Sequence, residues 1–522
     1  MDGQPMLTRR RLITGSAMGA GGLATAMLLD PGLALGADKT LTVAIPNNPQ
    51  TFDPMNQTNH DAMAATLVMF ENLIENDVNG ELRPQLAAAM PTISDDKLTY
   101  SFDLRDDVYF QNGAKFTAED VKYSYDYVLD PKNKAIRRSI WLPIKSITVE
   151  SPTRVRFDLH QPYSPWLYYM TKFMGIFPKG SREQHGDDYF RLTPIGVGTG
   201  PGIFVEWQQN DFVSFKRNPN YWQKGLPHWD RLIIKTVPED SVRVAYLMTD
   251  QAKIISAPPP KDYLNVKKMP GISGASKVSL GCSLFMELNT AKPPFDDINF
   301  RRGVAFAIDR DLLAKDVFYG MIEPTTVLAP ASSWWFDKEV ASGIHYDPAK
   351  AKALIAESKY PNGAEFDMNV PAQPYLIDVR DAAIVIQSQL AAVGVKVNLK
   401  FLEVAAVLGR TIDGSHTASF FPNMGAGDPT LQIVSYYTPG QVQSKSSGYV
   451  DETLSALVAE SYRTVDREAL KKIYGKMQAI LVRDCPGVWI GYVEIANLWR
   501  NEVRNFQVDS GLSIVVRDVD LA

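Results

Sequence analysis

The stretch Leu104 to Leu129, LRDDVYFQNGAKFTAEDVKYSYDYVL, constrains the fold more than any other part of the chain. Its first half alternates apolar and polar residues through Val108 and Phe110 and breaks at Asn112-Gly113, a pair that tolerates positive φ, so it reads as a strand closed by a tight turn. Its second half reads as a helix. Thr117 stands at the cap, Asp120 three residues on completes a capping-box pattern, and Glu119 and Asp120 suit the positive end of the helix dipole. Val121, Tyr125 and Val128 follow at helical spacing and predict one buried face. A strand, a turn and a capped helix are common to many α/β proteins, and alone they imply no function.

The residues of this unit say more than their periodicity. The run LRDDVYFQNGAKFTAEDVKYSYDYV resembles the signature of the peptide, nickel and opine binding proteins of ABC importers, the solute-binding protein family 5. Other passages resemble the same family in the same order. These are FENLIENDVNGELRPQLAAAM, the glycine turn Gly196 to Pro201, Arg217-Asn218-Pro219-Asn220-Tyr221-Trp222, and FRRGVAFAIDRDLL. The resemblance implies a bilobal α/β fold of the periplasmic-binding-protein (Venus flytrap) type with an additional small α/β domain. It implies 38–80 and 196–285 for the first lobe, 81–195 for the small inserted domain, 286–485 for the second lobe, and a return to the first lobe over 486–522. It also implies a ligand held between the lobes, with the permease and ATPase subunits on other chains, no cofactor, and a monomer in the periplasm.

Length and charge agree with this reading. A chain of 522 residues with 45% hydrophobic residues exceeds one ordinary core. With 54 basic against 59 acidic residues the net charge is −5, and no long run of one sign marks a nucleic-acid or membrane surface. Thr8-Arg9-Arg10-Arg11-Leu12-Ile13 resembles a twin-arginine export motif, followed by a glycine-rich apolar run and small residues near Ala37. Residues 1–37 are therefore expected to be a signal peptide rather than a membrane anchor, leaving a mature chain of charge −6 with no membrane span. Cys282 and Cys485 are too few for a disulfide framework; either they form one bridge at the lobe crossing or they are two buried thiols.

Further elements follow from pattern. Thr40 to Ile45 alternates as a strand, and a helix is expected to carry Met63, Leu67, Phe70 and Ile74 on one face. Strands are expected at Tyr100–Leu104, Ser146–Glu150, Arg154–Leu159, Ile203–Trp207 and Val395–Phe401. Asp309 and Asp347-Pro348 read as helix starts, Gly320 and Gly394 as stops, and Glu452–Tyr462 and Arg467–Val482 as amphipathic helices. Gly196-Val197-Gly198-Thr199-Gly200-Pro201 lacks the Gly-Lys-Ser/Thr and the helix that a phosphate loop requires, so it reads as a tight structural turn.

Catalytic patterns are not apparent. The six histidines are scattered, and no GxSxG elbow, phosphate loop or GxGxxG helix start occurs. A binding cleft needs aromatic walls and a few oriented polar groups. The resemblance places Asp413 to Pro429 on the cleft wall, making His416, Phe420, Phe421, Asn423 and Gly425 candidates, with the two phenylalanines equally readable as strand core. Asn47, Asn48 and Asn56 in the first-lobe loop and Trp334 and Trp335 are the others; Arg137 and Arg138 read mainly as surface residues. Peptide binders of the family carry an acid where Gly425 stands, and a ligand ammonium buried there without a carboxylate would cost several kcal/mol. That departure points to a polar ligand without a free ammonium, such as an opine-like or sugar-derived compound, with peptide import as the alternative and a secreted hydrolase as a reading of another class.

Overall fold

The computed structural model describes residues 38–56, 60–424, 429–439, 444–511 and 514–522. The expected signal segment, 1–37, lies outside the described residues.

One mixed sheet organises the chain. Its strands are β1 (Thr40–Ile45), β2 (Gly202–Gln208), β3 (Phe212–Arg217), β4 (Arg231–Thr236), β5 (Ile254–Ser256), β6 (Ile272–Leu288), β7 (Glu365–Pro371), β8 (Lys396–Leu402), β9 (Ala418–Met424) and β10 (Gly487–Arg500). They run in the order β8-β7-β9-β6-β10-β5-β1-β4-β3-β2, and Ile322–Pro324 pairs with β10 off this path. The two long strands β6 and β10 each serve both lobes. Their first-lobe halves pair from Ile272↔Arg500 to Val278↔Glu494, and their second-lobe halves from Ser283↔Tyr492 to Glu287↔Gly487. Between these runs β6 spends more residues than β10, a bulge over residues 279–282 that interrupts the ladder and bends the strand. This is the bilobal arrangement with its crossing segments, read here from register.

Separate cores support the two ends. On the first-lobe side Leu41, Val43 and Leu232 join Phe70, Tyr125 and Trp166 in one cluster. On the second-lobe side Leu284, Met286 and Phe420 pack with Ile386 and Leu390 on one face of the sheet. On the opposite face Phe285 packs with Tyr436, Tyr437 and Trp489. A distinct four-stranded sheet joins Thr92–Ile93, Thr99–Asp103, Arg154–Leu159 and Ile144–Ser151.

The capped unit forms as its residues dictate. Helix α2 (Ala118–Leu129) follows helix α1 (His60–Met69) in the chain, and it buries Val121, Tyr125 and Val128. Its Asp120 carboxylate accepts from Thr117 N at 2.8 Å, Thr117 Oγ1 at 2.9 Å and Lys179 N at 2.8 Å, so the cap also ties down a distant segment. Upstream, Tyr109 and Lys115 make an isolated bridge around a turn at Gly113, not a full strand. Helix α1 stops at Met69; Phe70 lies beyond it and Ile74 begins a short strand, Ile74–Asn76, so the expected four-residue face is split. The cause is the glycine turn. Gly200 N donates to Met69 O at 2.9 Å, and a Cβ on Gly198 would stand 1.9 Å from the same oxygen, so the helix end and the turn interlock through backbone.

Helices α3 (Pro429–Tyr437), α4 (Glu452–Tyr462) and α5 (Arg467–Asp484) cover the second-lobe face that holds Phe285. The cysteines are two separate buried thiols. Gly487, two residues past Cys485, lies opposite Glu287, which is five residues along β6 from Cys282, or roughly 17 Å at strand rise. A disulfide needs Cα atoms within about 7 Å, so register rules the bridge out.

Candidate functional site

The end of α4 and the start of α5 on the second lobe reach two points within the stretch 81–195. Arg467 donates to both oxygens of Glu81 at 2.8 and 3.1 Å, and its guanidinium lies 4.9 Å over the Trp334 ring. Ser164 N and Oγ donate to the carbonyls of Tyr462 and Ser461 at 3.2 and 3.3 Å, and Tyr163 packs edge-on against Tyr462 at 4.8 Å. Between the lobes lies the bulge of β6. Beside it Ser283 faces Asn423 across the β6–β9 ladder, and Gln432 Nε2 of α3 donates to Ser283 Oγ at 2.8 Å. Ser283, Asn423 and Gln432 thus form a polar strip where the crossing strands leave the first lobe.

The structure sorts the sequence candidates. Asn423 belongs to the polar strip, 8% exposed, with its side chain hydrogen-bonded to Tyr436 Oη. Trp334 marks the rim, packed on Trp335 and Tyr474 beneath Arg467. Asn47 is exposed just past β1. Asn48 is spent on the scaffold, its Oδ1 accepting from Trp207 Nε1 and Asn210 N. So is Asn56, which donates to Asp53 and accepts from Ile136 N, while Asp53 holds the buried Arg182 guanidinium at 2.8 Å through both oxygens. Trp335 is core, donating to Leu328 O. Phe420 packs in the strand core, whereas Phe421 lies on the opposite face, buried against Phe285 on the side of β9 that carries Asn423. His416 is buried at the far end of β9, with Nδ1 3.2 Å from Arg410 O; burial pushes its pKa down to about 4, so it is neutral. No cluster of metal-ligating side chains occurs among the described residues. Arg137 lies over the Phe173 ring and Arg138 Nε donates to Leu129 O. Gly425, with the Asp428 beside it, lies outside the described residues.

Sequence reasoning missed the rim pair Glu81 and Arg467, because they stand 386 residues apart in the chain. It also passed over Ser283 and Gln432, neither of which stands in a recognisable motif. The thiols are unsuited to nucleophilic chemistry, since burial pushes both Cys282 and Cys485 up to about 12.

A cavity of about 70 Å³ lies elsewhere, lined by Val68, Glu71, Glu75, Tyr221 and Arg517, with no wall from the second lobe. It has room for roughly two waters. Glu71 is buried there, accepting from Tyr221 Oη at 2.7 Å, Trp222 Nε1 at 2.9 Å and Thr199 Oγ1 at 2.9 Å; burial nevertheless pushes its pKa up to about 7. This is a scaffold network joining the end of α1, the glycine turn and the RNPNYW element.

Residues 81–444 match the family model of the bacterial extracellular solute-binding proteins, family 5. The chain belongs to this family. Family 5 proteins bind solutes and deliver them to ABC importers, whose permeases and ATPases are their partners. Among curated relatives, the glutathione-binding protein GsiB of Salmonella typhimurium is 27% identical over 526 residues, covering 98% of this chain and 99% of that protein. GsiB of Escherichia coli K12 is 26% identical over 535 residues, with the same coverage. Among solved structures, the binding protein AgaA of A. tumefaciens R10, in complex with agropinic acid, is 25% identical with a TM-score of 0.77, covering 92% of this chain and 99% of that one. DppA of Helicobacter pylori, in complex with the peptide STSA, is also 25% identical with a TM-score of 0.77, covering 92% and 98%. The family 5 fold is therefore shared along nearly the whole described chain. Among the described residues, no helix is long and apolar enough to cross a membrane.

Proposed function

We propose that this family 5 protein captures a polar, amino-acid-derived molecule between its lobes and hands it over unaltered. The observation that carries the reading is the polar strip of Ser283, Asn423 and Gln432 set at the strand bulge, with the second lobe already touching the stretch 81–195 at Glu81–Arg467 and Ser164–Tyr462. A ligand bridging the strip and the first lobe favours the closed form by its differential affinity, and closure presents one defined surface to a permease. The ligands named with the relatives, glutathione, agropinic acid and a tetrapeptide, share carboxylate and amide chemistry that such a strip suits.

The protein acts as a periplasmic monomer, exported by the twin-arginine route after loss of 1–37, and divides into lobes at the boundaries expected from its sequence. It acts by binding rather than by catalysis, a reading supported by its membership of a solute-binding family. Because Gly425 supplies no charge, the cargo is a compound without a free α-ammonium. The second reading, short-peptide import, is favoured by the peptide in the Helicobacter pylori relative. A thermal-shift screen of the mature protein separates them. A ligand at 100 times its Kd adds about 2.7 kcal/mol of stability. Shifts with acylated or opine-like compounds and none with free peptides support the first reading; shifts with free peptides alone replace it with the second; no shift in either set overturns solute capture of this class.

A further inference from the structure

One buried acid in the second lobe has no partner among the described residues. Glu287 is 0% exposed on β6, and neither carboxylate oxygen accepts a hydrogen bond. Beside it, on side chains at most 2% exposed, Tyr437 Oη and Trp489 Nε1 also lack a partner among the described residues. All belong to the sheet face covered by α3. Gly487 is the direct cross-strand neighbour of Glu287, and Tyr437 Oη hangs 3.0 Å from where a Cβ on that glycine would stand. A lone buried polar group is a cost that folded proteins rarely leave unmet, and several together mark a place where something else completes the hydrogen bonds.

The surroundings limit what that something is. No lysine, arginine or histidine among the described residues compensates Glu287; burial alone acts on it and pushes its pKa far up. The titratable groups packed around it are Tyr436 and Tyr437, with Tyr375, Tyr449 and Cys485 behind them, all of which burial keeps neutral. Beyond Tyr449 the charges of Asp484 and Arg483 satisfy each other. The walls are aromatic faces: Phe285 stacks on Trp489 and meets Tyr436 edge-on. A carboxyl among aromatic rings, with no protein cation, is complementary to a cationic head group on an apolar stem. The place also continues from the polar strip. Ser283, Phe285 and Glu287 alternate along one face of β6, and Gln432, Tyr436 and Tyr437 follow the same line along α3.

We propose that Glu287 is the floor of a ligand subsite that takes a guanidinium or alkylammonium group, admitted past Ser283 and Gln432 when Phe285 gives way. The inference rests on the solute-capture reading above and names the basic side group of its cargo. On binding, Glu287 releases its proton to solvent and the ligand cation replaces it, with the tyrosine hydroxyls donating to the carboxylate.

The test is isothermal titration of the mature protein with isosteric pairs that differ only in charge: Nα-acetylarginine against Nα-acetylcitrulline, and Ala-Arg against Ala-citrulline. At least tenfold preference for the arginine member is expected. Its affinity should rise with pH, by up to tenfold per unit below the pKa of Glu287, and proton release should show as a heat that varies with buffer ionisation enthalpy. In Glu287→Gln, a neutral isostere, the preference and the pH slope should both vanish. If that variant does not fold, the wild-type charge preference and proton release still decide. Equal binding of both members overturns the subsite and leaves solute capture standing, as does a preference that survives in Glu287→Gln. If no member binds, the basic-group assignment fails outright, and the thermal-shift screen reports separately on solute capture.

Discussion

The buried Glu71 makes a quantitative prediction about pH and stability. In the unfolded chain its pKa is near its ordinary 4.5; in the fold it is pushed up to about 7, burial outweighing the three donors and Arg517. Between these values the folded protein keeps a proton that the unfolded chain has lost, so the contribution of Glu71 to stability falls as pH rises through this window and levels off above it. Worked from the two pKa values, the loss between pH 5 and pH 8 is about 2.5 kcal/mol. Glu71→Gln removes the titration while keeping the contacts: the amide oxygen accepts from Trp222 and Thr199, and the amide nitrogen donates to Tyr221. Urea unfolding of both proteins at several pH values isolates the term, because every other titrating group cancels in the difference. The variant should gain on wild type by about 2.5 kcal/mol from pH 5 to pH 8. A difference that stays flat within about 0.5 kcal/mol, or one of opposite slope, would refute the argument that Glu71 holds its proton in the folded state.

Other consequences can be checked directly. Glu81→Arg or Arg467→Glu should weaken ligand binding up to about fivefold, the scale of an exposed pair, and the double reversal should restore it; additive losses would show that the rim contact plays no part in closure. Asp120→Ala removes three accepted hydrogen bonds and should lower unfolding stability by about 2 kcal/mol, with an unchanged denaturant midpoint counting against the cap. Gly198→Ala places a methyl against Met69 O and should cost at least about 3 kcal/mol or abolish soluble expression; a variant of wild-type stability would show that the turn has slack. Thiol titration should give no rapid reaction in the native protein and two thiols in denaturant without reductant.

Local chemistry was legible where a residue type has one physical job. Asp347 and Pro348 start a helix over Pro348–Ala356, and Asp309 accepts from Leu312 N at the start of another, both at positions where side-chain oxygens meet orphan amides. The end of α1 was not legible, since a glycine turn more than a hundred residues away in sequence stops it. Two residues of the candidate site were not legible for a similar reason. Asn48 and Asn56 have the groups a binding loop requires, but the fold brings Trp207, Asp53 and Ile136 to them first. Glu287 left a trace that went unread: an acid inside the apolar run LFMEL, at a position that alternation turns into the core.

The sequence by itself determined the capped unit, the order of strands and helices, and the family, because caps, turn glycines and periodicity act over a few residues. Tertiary structure alone decided which polar groups are spent on the scaffold. It also decided that β6 and β10 run through both lobes, that the two thiols stand too far apart to join, and that Arg467 finds Glu81. Those outcomes depend on strand register and on packing between distant segments, and neither is encoded in any short stretch of the chain.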